Sequence, residues 1–220
     1  MMASPIEIDG PRVGPASGEV PSSLVVFLHG YGSNGDDLIG LAPYWRAGLP
    51  HTAFVAPNAP ERCPGAPGGY QWWGITSLDA SAMIAGAARA APVLDAFIDQ
   101  ELERHGLGED RLALVGFSQG TMMALQVGPR RKATLAGIVG YSGMLANAAG
   151  LDDAPLSKPP VLLIHGDADP MIPLSAFHRT REALSRHGFV VETHVSAGLA
   201  HSIDAAGLSL GERFLERVLG

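Results

Sequence analysis

One cysteine, Cys63, is all the thiol chemistry this 220-residue chain has. That excludes an internal disulfide and two-cysteine redox chemistry. Cys63 lies in a Pro/Gly-rich stretch and reads as a bystander thiol. Charge is scarce too: 17% of residues are charged, the net charge is −7, and no extended Lys/Arg run occurs. A nucleic-acid or anionic-membrane surface is therefore not expected. The nearest basic cluster, Pro129 to Ala133, suits the C-terminal carbonyls of a helix. The N-terminus lacks a basic segment followed by an apolar one, so no signal peptide is read there. No apolar run approaches membrane-span length, so no stable membrane insertion is expected. The expectation is a protein of a reducing cytoplasm.

Other signatures are missing as well. No repeat, low-complexity tract or linker divides the chain, and its length suits one domain spanning 1–220. The histidines form neither an H-x-x-x-H pair nor H-E-x-x-H, and "HGDAD" lacks the wider ligand set of a cation loop. No metal is expected. "HGYGSNG" has neither the lysine of a phosphate-binding loop nor G-x-G-x-x-G spacing, so no nucleotide cofactor is expected.

What is present is a recurring pattern. Apolar, often β-branched runs begin at Ser23, Thr52, Arg111, Leu135, Pro160 and Val190. Helix-like stretches lie between most of them: Asp36 to Trp45, Ser81 to His105, Ser175 to Arg186 and Ala206 to Leu219. Alternation of this kind predicts a mainly parallel sheet joined by right-handed crossovers. Near-continuous apolar strands predict a sheet covered on both faces. The first twenty residues read as an edge hairpin or a loose arm. Glu61 to Leu78 is the longest region without a period, and a loop of that size is usually functional or mobile.

"LALVGFSQGTMMAL", Leu112 to Leu125, breaks an apolar strand at Gly-x-Ser-x-Gly and resumes at once as a helix. Flanking glycines allow close backbone approach and lift Ser118 onto a sharp turn. A serine hydroxyl is a weak nucleophile and needs a base, which needs an orienting acid. Serine, acid, histidine is the chain order for this turn. Asp167 and Asp169 follow an apolar strand, where open α/β sheets gather their functional groups. Asp169, further out and followed by proline, is preferred; Asp167 suits local turn hydrogen bonds. Of the later histidines, His165 ends a strand and reads as buried and partnered. His178 and His187 fall in a helix, and His194 lies in a strand. His201, in the small-residue loop "SAGLAHSI", is the preferred base. The N–H groups of Tyr31 and Gln119 are the candidate oxyanion donors. His29 braces the first loop.

Taken together, "FLHGYGSNGDDL", "VGFSQGTMMAL", "HGDADPMIP" and "GLAHSI" resemble the phospholipase/carboxylesterase family of α/β-hydrolases. That family includes bacterial carboxylesterases and acyl-protein thioesterases. The resemblance runs from about Ser23 to the C-terminus. It implies an α/β-hydrolase fold without a large lid, a Ser118–Asp169–His201 triad, and oxyanion donors at Tyr31 and Gln119. It implies a small-molecule ester as substrate, with short- to medium-chain acyl groups, and makes a homodimer plausible. Tyr31 departs from the leucine common at that position, which alters the pocket wall but leaves a backbone donor. "QWWG" resembles the family's Trp-containing loop. Trp72, Trp73 and Met171 are therefore expected to contact substrate, with a hydrophobic plug as the rival role for the two tryptophans. Met122, Met123 and Met144 read as core or pocket floor.

Overall fold

The computed structural model describes residues 7–75, 79–152 and 156–220. Its elements in chain order begin with β1 (Arg12–Val13), β2 (Ser23–Leu28), α1 (Gly35–Leu38) and α2 (Ala42–Trp45). Next come β3 (Thr52–Val55), β4 (Glu61–Arg62), β5 (Tyr70–Gln71), α3 (Ala80–His105), β6 (Leu112–Phe117) and α4 (Gln119–Val127). The chain finishes with β7 (Gly137–Tyr141), β8 (Val161–Gly166), α5 (Leu174–Arg186), β9 (Val191–Ser196) and α6 (Ala205–Leu219). Seven strands form one sheet in the order β1-β3-β2-β6-β7-β8-β9. All its pairings are parallel except β1 with β3. This is the mainly parallel sheet that the alternation predicted.

Strand geometry sends alternate side chains to opposite faces. Leu24, Val26, Leu28, Leu112 and Leu114 join one core with Leu94, Phe97 and Ile98 of α3, Met123 of α4 and Phe177 of α5. Val25, Phe27, Ala113 and Val115 join the other with Trp45 of α2 and Phe214 and Leu215 of α6. Both faces are thus covered, which is why β2 is buried along its whole length. The rule stops at β9. It is an edge strand with Glu192 and Thr193 exposed, so its outer positions tolerate polar residues.

Several expectations need correction. The helix expected over Asp36 to Trp45 is two short helices joined by a 3-10 turn at Ile39–Leu41. Pro43 cannot donate an N–H to a continuing helix, and it sits at the start of α2, where that loss costs least. Of the N-terminal segment, read as an edge hairpin or a loose arm, Arg12 and Val13 form a short edge strand paired with Val55 and Phe54 of β3. Arg12 Nη2 also lies 2.7 Å from Oε1 of the buried Glu101 on α3, tying this edge to the body. α3 itself is long and apolar enough, by length and composition, to cross a membrane. Alanines raise its average hydropathy although Arg89 and Asp95 interrupt it. Here Met83, Ala87, Leu94, Phe97 and Ile98 face the core.

Candidate active site

The site is built where β6 meets α4. Ser118 has φ 54° and ψ −115°, a conformation that L-residues rarely adopt. Such a backbone costs about 1–3 kcal/mol and persists only where its surroundings enforce it. Here the enforcement is explicit. A Cβ on Gly120 would fall 1.8 Å from the Leu28 carbonyl oxygen, and one on Gly116 2.4 Å from the Thr121 nitrogen. Any larger residue at either place would push the helix off the sheet. Ser118 N–H donates to Tyr141 O at 2.9 Å, and Thr121 Oγ1 lies 2.8 Å from Gly116 O. The turn is therefore fastened from both sides. The Ser118 hydroxyl makes no capping bond to α4 and lines a cleft.

His201 lines the same cleft and is paired with a buried acid. Asp169 follows β8 and its carboxylate is buried. Oδ1 accepts the N–H groups of Met171 (2.8 Å) and Ile172 (2.9 Å), while Oδ2 lies 2.7 Å from His201 Nδ1. Burial alone would raise the Asp169 carboxyl. The bonds from His201, Ile172 and Met171 outweigh it and hold the group below its ordinary value. An ionised Asp169 fixes the His201 tautomer: Nδ1 carries the hydrogen and Nε2 is left with a lone pair. The Phe117 ring packs on His201 with centroids 4.9 Å apart. His201 and Ser118 line the same cleft, of about 420 Å³. Its walls are apolar, with Met83, Met122, Met144, Met171 and Ile172.

This is a strained serine at a strand-to-helix turn, with a paired carboxylate and histidine, on a mainly parallel sheet. The sequence profile of the phospholipase/carboxylesterase family matches residues 13–219. The chain belongs to that family. It is an ester hydrolase of the α/β-hydrolase fold. It is 30% identical to acyl-protein thioesterase 1 of Neurospora crassa over 212 residues, which is 88% of this chain and 86% of that protein. It is 30% identical to acyl-protein thioesterase 1 of Schizosaccharomyces pombe, over 90% of this chain and 92% of that one. The crystal structure of esterase PE8 superposes with a TM-score of 0.93 at 43% identity, covering 97% of this chain and 100% of that chain.

Other residues of this phospholipase/carboxylesterase are placed less as expected. Met171 lines the cleft and is 67% exposed, so it sits on the rim. Trp72 and Trp73 do not line it: both are buried, Trp73 beside Gly86 of α3. A substrate cannot reach side chains so enclosed, and the groove-forming role is corrected to an internal one. Met122 and Met144 line the cleft, whereas Met123 is core. Asp167 is exposed, and its carboxylate accepts the Gly198 N–H at 2.6 Å. It thus ties the acid loop to the His201 loop and does not fold back on its own turn. Ala168 N–H reinforces this tie by donating to Leu199 O at 3.1 Å.

His165 is buried, with Nε2 2.8 Å from Ile172 O and 3.5 Å from Asp169 Oδ2. His178 is exposed, and His187 lies just past the end of α5, paired with Asp152 at 2.9 Å. His29 is buried; Nδ1 lies 2.8 Å from Gly30 O and Nε2 accepts the Ala59 N–H at 2.9 Å. Burial lowers its pKa, and the acceptor role of Nε2 agrees with the neutral ring. Tyr31 lies at the cleft, 42% exposed. Among the described residues, its N–H and that of Gln119 have no protein acceptor. Phe117, Ser142 and the side chain of Gln119 were missed in the sequence. None carries a periodic or spacing signal, because their partners lie in other segments of the chain.

Proposed function

We propose that this ester hydrolase works through Ser118, His201 and Asp169. The observation that carries the reading is the Asp169–His201 pair at 2.7 Å, with His201 and the strained Ser118 lining one cleft. Ser118 Oγ attacks the ester carbonyl while His201 Nε2 takes its proton. The carbonyl oxygen becomes an oxyanion, received by the N–H groups of Tyr31 and Gln119. His201 then gives the proton to the leaving alcohol, and an acyl-serine remains. Water attacks this ester with His201 again as base, releasing the acid and restoring Ser118. Asp169 stays ionised throughout and stabilises the imidazolium. No residue in this cycle needs a cofactor.

The cleft volume and its open, methionine-lined wall support short- to medium-chain acyl groups. The test is turnover of p-nitrophenyl esters from acetate to palmitate, wild type beside Ser118→Ala. Activity that peaks below about C8 and vanishes in the variant supports the reading. Equal activity in the variant contradicts it. A second reading, hydrolysis of S-acyl groups, is favoured by the two relatives named acyl-protein thioesterase 1. Matched oxygen and sulfur esters separate the two by their kcat/KM ratio. A non-catalytic binding role would leave Ser118 unlabelled by a fluorophosphonate. A cytoplasmic location and a homodimer belong to the same proposal, read by cell fractionation and by size-exclusion chromatography.

A further inference from the structure

The two oxyanion donors come from different elements: Tyr31 from the turn after β2, Gln119 from the start of α4. Transition-state stabilisation depends on their separation, because donors must meet the oxyanion where it forms. Something must therefore hold these two loops at a fixed distance. One segment, half-buried at Tyr70 and buried from Gln71 to Trp73, touches both. Tyr70 N–H donates to Ser33 O at 2.7 Å, and Tyr70 O accepts from Gly32 N–H at 2.8 Å. Two residues later the same segment reaches the elbow. The Gln119 side chain accepts the Trp72 N–H (2.9 Å) and donates to Trp73 O (3.0 Å). The indole of Trp72 then turns back and donates from Nε1 to His29 O at 3.0 Å, one peptide before Gly30.

Trp73 provides a contrast within the same segment. Its indole N–H is buried without a partner among the described residues, so its ring acts as filling. Only Trp72 spends its polar atoms on both loops. Gln119 likewise spends its whole amide on this segment, and the residue also lines the cleft.

We propose that Tyr70–Trp73 is a strut that sets the spacing of the oxyanion donors, and that Trp72 is a positioning residue acting through His29 and Gln119. This rests on the Ser118 reading above. The test uses two single variants, Trp72→Phe and Gln119→Met. The first keeps most of the ring volume and removes the Nε1 donor. The second keeps volume and backbone N–H and removes both side-chain bonds. Readouts are kcat and KM for p-nitrophenyl butyrate, thermal stability, and inhibition by an alkyl trifluoromethyl ketone. The hemiketal of that ketone with serine places an oxyanion in the hole, while KM reports ground-state binding.

The strut predicts that kcat falls about ten- to hundredfold while KM stays within about twofold. The ketone inhibition constant should rise by about the same factor as kcat falls. Folded variants with wild-type kcat and wild-type ketone affinity would overturn the proposal. So would a loss of folding in both, since the segment would then be structural only. Ser118→Ala is run alongside. If it keeps turnover, the Ser118 reading fails; if it is inactive and the two variants match wild type, the strut alone fails.

Discussion

Among the described residues of this enzyme, two serines occupy a backbone conformation normally left to glycine. Ser118 has φ 54° and Ser142 φ 46°, and they follow neighbouring parallel strands, β6 and β7. The same device serves opposite ends. Ser118 is part-exposed in the cleft, with a hydroxyl that caps nothing. Ser142 is buried, and its Oγ donates to Ser202 O at 3.2 Å, the carbonyl next to His201. One turn leaves a hydroxyl uncapped in the cleft; the other ties a hydroxyl to the loop that carries His201. Strain is common to both turns, and the hydrogen bonding is what distinguishes them.

Replacing each hydroxyl in turn sharpens this contrast. Ser118→Ala should lower kcat by about 10⁶-fold with an unchanged far-UV circular dichroism spectrum. Asp169→Asn should follow at about 10⁴-fold, because the His201 tautomer is no longer fixed. Asp167→Asn, which only weakens the tie to Gly198, should cost about tenfold or less. If the order of these two aspartates is reversed in stopped-flow turnover, the acid has been misassigned. Ser142→Ala should reduce kcat about fivefold, as loss of one neutral hydrogen bond would suggest, and leave fluorophosphonate labelling complete. Ser118→Gly should relieve the turn and raise stability by about 1 kcal/mol in urea unfolding, at the expense of all activity.

The smallest effect is in pH. Asp169 is held below the ordinary carboxyl value of 3.8 in the folded chain. On acidification the unfolded chain therefore takes up that proton first. The stability from this group is full above about 3.8 and is lost as pH falls through the folded value. His29 behaves alike around its ordinary 6.5, since burial lowers it: its contribution is full above 6.5 and declines as pH falls toward the folded value. His29→Gln keeps an acceptor for the Ala59 N–H without the titration. It should flatten the loss of stability between pH 7 and pH 5, measured by urea midpoints at each pH; an unchanged slope would remove His29 from the account.

How far the sequence could be read follows from where each partner lies. Ser118 was legible because its strand, glycines and helix are contiguous. The pairing of Asp169 with His201 was legible because both lie in loops that follow apolar strands. The strands of the sheet showed themselves by apolar runs, since burial on both faces leaves no room for polar residues. The helix at Asp36 to Trp45 was misread because its apolar period continues through Pro43, although the hydrogen-bond ladder does not. The role of Trp72 was misread because aromatic content near a site says nothing about which way a ring points. Its partners, His29 and Gln119, come from distant segments and meet only in the fold. Asp167 was misread for the same reason: its acceptor bond is with Gly198, across two loops.

The most direct test of the central claim is the mass of the enzyme after treatment with a fluorophosphonate, followed by peptide mapping. The account predicts one adduct per chain, on the peptide containing Ser118, blocked in Ser118→Ala and strongly slowed in Asp169→Asn. An adduct at another residue, or full labelling of Ser118→Ala, would contradict it.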